Sequence, residues 1–73
     1  MNTDHMVKMV NEISAFFSGE SPEQAPQLIA THLKRYWEPR MRQQIVAHDH
    51  KGAGGLVDAA RSAVAILAAE ASK

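Results

Sequence analysis

Residues 32–42 read His32-Leu33-Lys34-Arg35-Tyr36-Trp37-Glu38-Pro39-Arg40-Met41-Arg42, and they carry the most varied chemistry of the chain. They include the only Trp, the only Tyr and three of the four Arg residues. A residue that precedes proline is biased towards extended backbone, whereas proline itself suits the first turn of a helix. Glu38-Pro39 is therefore predicted to form a corner between two helices.

A first helix is predicted upstream of this corner, over residues 4–17, because apolar residues recur there at helical spacing. Thr3 or Asp4 is expected to cap its start, and Gly19 is expected to terminate it. The predicted buried stripe consists of Met6, Met9, Val10, Ile13, Phe16 and Phe17. The predicted polar side consists of Lys8, Asn11, Glu12 and Ser14.

The second helix is predicted over residues 22–37, with Ser21 as its cap and Pro22 in its first turn. Pro26 complicates this start, since proline disfavours a regular helix running through it. Two arrangements remain open: residues 22–25 form a separate short turn, or the helix begins nearer Pro26. Beyond that point the apolar spacing continues through Ile29, Leu33, Tyr36 and Trp37.

The third and fourth helices are predicted over residues 39–48 and 56–71, separated by a glycine-rich loop over 49–55. The buried side of the third helix is marked by Met41, Ile45 and His48. The fourth helix is rich in Ala, and its apolar stripe consists of Val57, Ala60, Val64, Leu67 and Ala71, widened by Leu56, Ala63 and Ile66. These segments predict an all-α fold: a small bundle of three to four helices in one domain of residues 1–73, with the Pro-marked corner between helices two and three.

The size and charge of the chain restrict its function. With 73 residues and no Cys, it is expected to have a marginal core and no disulfide, so a partner chain is the simplest stabiliser. Eight basic and eight acidic residues cancel, which argues against a dedicated nucleic-acid or membrane-surface protein. The longest apolar run, residues 63–69, is too short to span a membrane. With no basic segment followed by an apolar run at the N-terminus, a cytoplasmic chain is expected.

The sequence contains no pattern typical of a catalytic site. The glycines of residues 52–55 lack the Lys-Ser/Thr of a phosphate-binding loop, which favours a connector. His48-Asp49-His50 places two imidazoles and a carboxylate together, but a metal needs three or four convergent ligands. We therefore favour a solvated loop for this triplet and predict no catalytic, cofactor-binding or metal-binding residue.

The corner offers the candidate binding residues. Trp37 is interpreted either as the largest side chain of the core or as an interface anchor, since Trp, Tyr and Arg dominate binding hot spots. A corner allows both, with one aromatic side chain pointing inward and the other outward. His32 is interpreted as a packing residue at the edge of the core, in preference to a donor that faces a partner. The cations of residues 34–42 form either a solvated face or a protein-binding patch, and we favour the patch.

The motif of residues 32–42, with Ile29-Ala30-Thr31 before it, resembles the signature of the delta subunit of NAD-dependent, molybdenum-containing formate dehydrogenases. That signature is an aliphatic residue, Ala, any residue and His, then basic residues, an aromatic and Trp-x-Pro-Arg-Met-Arg. The opening helix, with Met6-Val7-Lys8-Met9-Val10-Asn11, and the glycine-rich loop before the last helix also fit, so the resemblance covers nearly the whole chain.

The resemblance implies a non-catalytic accessory subunit that assists assembly, cofactor loading or stability of a cytoplasmic enzyme. The bis-molybdopterin guanine dinucleotide, iron–sulfur clusters, FMN and NAD site would then belong to the larger subunits. The expected partner is the catalytic alpha subunit, with self-association as an open alternative for the isolated chain. The partner-binding residues are predicted to be His32, Arg35, Tyr36, Trp37, Glu38, Pro39, Arg40, Met41 and Arg42. The alternative function is a stand-alone helical regulator that binds nucleic acid or another protein through the same patch.

Overall fold

Four α-helices make up the part of the chain that the structure describes, and the all-α prediction is confirmed. The computed structural model describes residues 2–52 and 54–71, without the side chain of Ala71. In chain order the helices are α1 (Thr3–Glu20), α2 (Ala25–Tyr36), α3 (Pro39–His50) and α4 (Asp58–Ala71). All four contribute to one apolar core, in which α4 packs chiefly against α2. None of the described helices combines the length and apolar character that crossing a membrane requires.

Helix α1 begins and ends differently from its prediction. Asn2, not Thr3 or Asp4, is the cap: its Oδ1 accepts hydrogen bonds from the backbone N–H groups of Asp4 at 2.7 Å and His5 at 3.3 Å. Gly19 does not terminate the helix, because it lies inside α1 and has no positive φ. The helix continues to Glu20 and stops where Ser21 turns to a non-helical backbone.

Helix α2 begins at Ala25, three residues later than the predicted start at residue 22. Residues 22–24 form a turn in which the N–H of Gln24 donates to the carbonyl of Ser21 at 3.0 Å, so Ser21 does not cap a helix. Pro26 then lies in the first turn of α2, where its missing N–H would have had no helical partner. Features of both predicted arrangements are present: residues 22–24 form a separate turn, and the helix begins at Ala25, next to Pro26.

The predicted corner is confirmed. Helix α2 ends at Tyr36, Trp37 (φ −96°, ψ 139°) and Glu38 (φ −66°, ψ 152°) are both extended, and Pro39 opens α3. The bias of a pre-proline residue explains the backbone of Glu38. The side chain of Glu38 forms no capping hydrogen bond, so only its backbone carbonyl takes part, accepting from the N–H of Arg42 at 3.1 Å.

The buried core contains fewer residues than the predicted stripes. Its members are Met6, Val10, Ala25, Ile29, Ala30, Leu33, Trp37, Ile45, Ala60, Ala63, Val64 and Leu67. Phe16 and Val57 were predicted to be buried, but they are 61% and 48% exposed. Ser14 was predicted on the polar side, but it is buried and its hydroxyl donates to the carbonyl of Val10 at 2.7 Å. This local bond gives the hydroxyl a hydrogen-bond partner, and a buried serine requires one.

The connection between α3 and α4 lies two residues later than predicted, over 51–57 and not 49–55, because α3 runs on to His50 and α4 starts at Asp58. Gly52 ends α3 with a left-handed φ of 67°, as the αL cap of a helix requires. Gly55 also has a positive φ, 92°, and a Cβ there would lie 3.2 Å from Val7 Cγ1. The central residue of the predicted loop, Ala53, lies outside the described residues.

Asn11, predicted to lie on the polar side of α1, instead fastens this connection to the bundle. Its Nδ2 donates to the carbonyl of Gly55 at 2.8 Å, and its Oδ1 accepts from the N–H of Val57 at 3.0 Å. Two side chains of α3 also bond to other segments. Gln44 Nε2 donates to Thr3 Oγ1 at 2.8 Å, and His48 Nε2 lies 2.8 Å from the carbonyl oxygen of Gly54.

We expect the substitution Trp37→Ala to remove most of the helical structure. The side chain is 6% exposed, and truncating a buried Trp costs about 3–5 kcal/mol, a large part of the roughly 5 kcal/mol that a small domain has. Far-ultraviolet circular dichroism during urea unfolding measures the loss. Tyr36→Ala is the matched control, since Tyr36 is 68% exposed and should cost less than about 1 kcal/mol. Equal losses in the two variants would contradict the core role of Trp37.

Candidate functional site

The corner separates the two large aromatic side chains of residues 32–42. Tyr36 is the last residue of α2 and its ring points to solvent, while Trp37 turns into the core. The N–H of Trp37 still donates to the carbonyl of Leu33 at 2.9 Å, so Trp37 continues the buried side of α2 with Ala30 and Leu33. Tyr36, about 100° away around the helix axis, faces outward. The structure therefore places Tyr36 outside and Trp37 inside, which the sequence left open.

The other predicted partner-binding residues, at the end of α2 and the start of α3, are exposed or half-buried. Arg35, Glu38, Pro39 and Arg40 are exposed, and His32, Met41 and Arg42 are half-buried. We call these eight residues the corner surface: His32, Arg35, Tyr36, Glu38, Pro39, Arg40, Met41 and Arg42. Trp37 lies beneath them. Burial makes it the support of this surface, so its predicted direct contact with a partner would require the core to open.

An aromatic row links the corner surface to α1. The rings of His32 and Tyr36 are 4.7 Å apart, those of Phe17 and His32 are 6.0 Å apart, and those of Phe16 and Phe17 are 5.2 Å apart. The last two pairs have edge-to-face geometry, which aromatic quadrupoles favour. His32 thus packs between α1 and Tyr36, in agreement with its predicted packing role.

Phe16 is the residue of this row that sequence reasoning missed. Adjacent helical residues lie about 100° apart around the axis, so Phe16 and Phe17 were unable to point in the same direction. That adjacency was the available signal that one of the two rings reaches the surface. The consequence is a second exposed aromatic side chain at the end of the row opposite Tyr36.

The guanidinium groups of the corner surface have no acidic partner among residues 2–52 and 54–71. The ion pairs in that part of the chain are Lys34–Glu70, at 2.8 Å, and Arg61–Asp49, at 3.5 Å. Arg42 Nη1 makes a long contact of 3.4 Å with the carbonyl of Lys34. The charges of Arg35, Arg40 and Arg42 are therefore available to an external anion.

The predicted loop triplet His48-Asp49-His50 forms the end of α3 and is not a loop. His48 bonds to the carbonyl of Gly54, and Asp49 pairs with Arg61. Throughout the described part of the chain, no group of three His, Cys, Asp or Glu side chains is arranged to hold a metal ion. His48 and Asp49 therefore connect the end of α3 to the residues that follow it.

Comparison with known proteins identifies one family. Residues 5–64 match the family model described as NADH-dependent formate dehydrogenase delta subunit FdsD. The match includes the whole of the corner surface. Neither a curated protein nor a solved structure shows significant similarity to the chain.

We expect the double variant Arg35→Gln/Arg40→Gln to unfold at nearly the same temperature as the wild-type chain. Neither side chain forms an ion pair within the described residues, so the free energy of unfolding should change by less than about 0.5 kcal/mol. Lys34→Gln is the control, since it breaks the pair with Glu70 and should cost up to about 1 kcal/mol. If the double variant is clearly less stable than the control, the arginines have a structural role that the geometry does not show.

Proposed function

The chain belongs to the FdsD family of NADH-dependent formate dehydrogenase delta subunits, and we propose that it is a non-catalytic accessory subunit that docks on the catalytic alpha subunit through the corner surface. In this role it assists assembly, cofactor loading or stability of the enzyme. We place it in the cytoplasm, where the NADH pool used by such an enzyme is found.

The observation that carries the proposal is that the corner surface exposes arginines without an acidic partner in the described residues, together with a tyrosine. Arg35 and Arg40 are exposed and unpaired within the described residues, and Tyr36, in the same segment of the corner, is 68% exposed. Tyr and Arg are the residue types that contribute most to binding energy when a partner covers them. Trp37, which follows Tyr36 in the chain, is part of the buried core.

Pre-organisation favours binding through this surface. The Tyr36 ring rests on His32, which rests in turn on Phe17, so less side-chain freedom remains to be lost when a partner covers the row. Each rotamer-rich side chain that must be immobilised costs roughly 0.5–1.5 kcal/mol on association. A surface whose aromatic members are already held by neighbours is therefore better suited to docking than an equal number of free side chains.

The cofactors implied by the family resemblance are proposed to reside in the partner subunits. Iron–sulfur clusters are held mainly by cysteine thiolates, and this chain contains no Cys. Its His, Asp and Glu side chains form no ligand group within the described residues. The residues of this chain would then act on the cofactors only through the subunit that carries them.

The alternative function, a stand-alone regulator that binds nucleic acid, would also use Arg35, Arg40 and Arg42. Phosphate binding gains strength from every added cation, but the formal net charge of this chain is zero. Glu38 also lies within the corner surface itself. An interface with a protein that presents carboxylates matches this balance of charges better.

Deleting the gene for this chain should lower the amount of assembled, cofactor-loaded formate dehydrogenase. The measurements are the elution profile of the enzyme, its molybdenum content and its NAD-linked formate oxidation, compared with a strain in which the gene is restored. A deletion strain with full activity and normal molybdenum content would refute the accessory role.

The charge-reversal variant Arg35→Glu/Arg40→Glu should weaken association with the catalytic subunits by about tenfold or more, because like charges across an interface cost several kcal/mol. Co-purification with a tagged alpha subunit measures the effect. The matched control is Lys8→Glu/Lys51→Glu, which makes the same change of net charge at two exposed lysines outside the corner surface. Equal weakening by both variants would show a general effect of net charge, and no weakening by either would remove the corner from the interface.

A further inference from the structure

A groove of about 430 Å³ lies beside the corner surface, between α3 and α4. Its apolar walls include Val46, Ala47 and Leu67, and Leu67 is the most deeply buried of these. Pro39 and Arg42 also line it, so the groove is continuous with the corner surface. A partner that covers the corner can therefore reach the groove without a change in the fold.

The charges along the groove favour an anionic occupant. Glu70 is the carboxylate among the lining residues, and both of its oxygens lie within 3.1 Å of Lys34 Nζ. Arg42 also lines the groove, and among the described residues its guanidinium bonds only to the backbone carbonyl of Lys34, at 3.4 Å. The groove thus pairs an apolar wall with a cation whose charge is not neutralised by the described part of the chain.

We propose that this groove receives an acidic, amphipathic segment of the catalytic subunit, with an apolar side chain against Leu67 and an Asp or Glu side chain against Arg42. An amphipathic segment laid in a groove between two helices is a recurrent mode of peptide recognition. The inference rests on the proposed function and extends it, because it assigns a second contact beyond the corner surface and states the chemistry of the partner.

Gln43 allows the charge to be tested with little change of shape. It is exposed and lines the groove, and replacing its amide by a carboxylate leaves the size of the side chain almost unchanged. Gln43→Glu should weaken binding to the formate dehydrogenase complex purified without this chain by roughly fivefold, the effect of one added charge at a partly solvated contact. Gln43→Lys should bind as well as the wild-type chain or more tightly.

The same titration includes the corner variant Arg35→Glu/Arg40→Glu, which separates the two hypotheses. If the wild-type chain binds and the corner variant does not, but both Gln43 variants bind like the wild type, the groove inference is overturned and the proposed function stands. If both Gln43 variants are weakened equally, the occupant is not acidic and the inference also fails. If the wild-type chain itself does not bind, the proposed function fails and the groove has no such partner.

A direct readout is photo-crosslinking in the assembled complex, with a benzophenone amino acid in place of the exposed His50 at the edge of the groove. The expected product joins position 50 to a catalytic-subunit peptide that contains Asp or Glu beside apolar residues. A crosslink to a second copy of this chain, or to a segment without acidic residues, would overturn the assignment. Thermal unfolding of each variant verifies that the bundle is intact.

Discussion

The proline ring at position 39 is the constraint on which the rest of the molecule depends. It disfavours helical backbone at Glu38, and α2 stops before this residue, with two extended residues preceding α3. At this end of α2 the indole of Trp37 lies in the core and the phenol of Tyr36 lies outside. The same break places the arginines at the end of one helix and the start of the next. The corner therefore contains both the largest buried side chain and the exposed cations.

The core around this corner is small, and polar side chains compensate for it. Four of its members are alanines, at positions 25, 30, 60 and 63, which allow the helices to approach closely but bury little area each. Asn11 and His48 bond to the connection between α3 and α4, and Gln44 joins α3 to the start of α1. A bundle held in this way gains much from a partner that binds only its folded form, since such binding adds directly to the free energy of unfolding.

Much of the fold was predictable because it follows from local rules. Pro39 and its predecessor determine the corner, and the apolar spacing determines the presence of each helix. The start of α2 and the role of Asn11 were not predictable, because they depend on a turn at residues 22–24 and on partners 44 and 46 residues away in sequence. Phe16 and Phe17 illustrate the same limit, since spacing shows that both cannot be buried and only packing selects Phe17. The groove combines residues of α2, α3 and α4, so no single segment contained a signal for it.

The position of Trp37 gives the protein an internal optical reporter. It is the only indole of the chain, it is shielded from water, and it lies directly below the residues proposed to meet another subunit. Its emission is therefore free of the averaging over several chromophores that complicates larger proteins. The exposure of this ring to water depends on the packing of the corner. A shift in its fluorescence spectrum would therefore report a rearrangement of α2 and α3 on assembly.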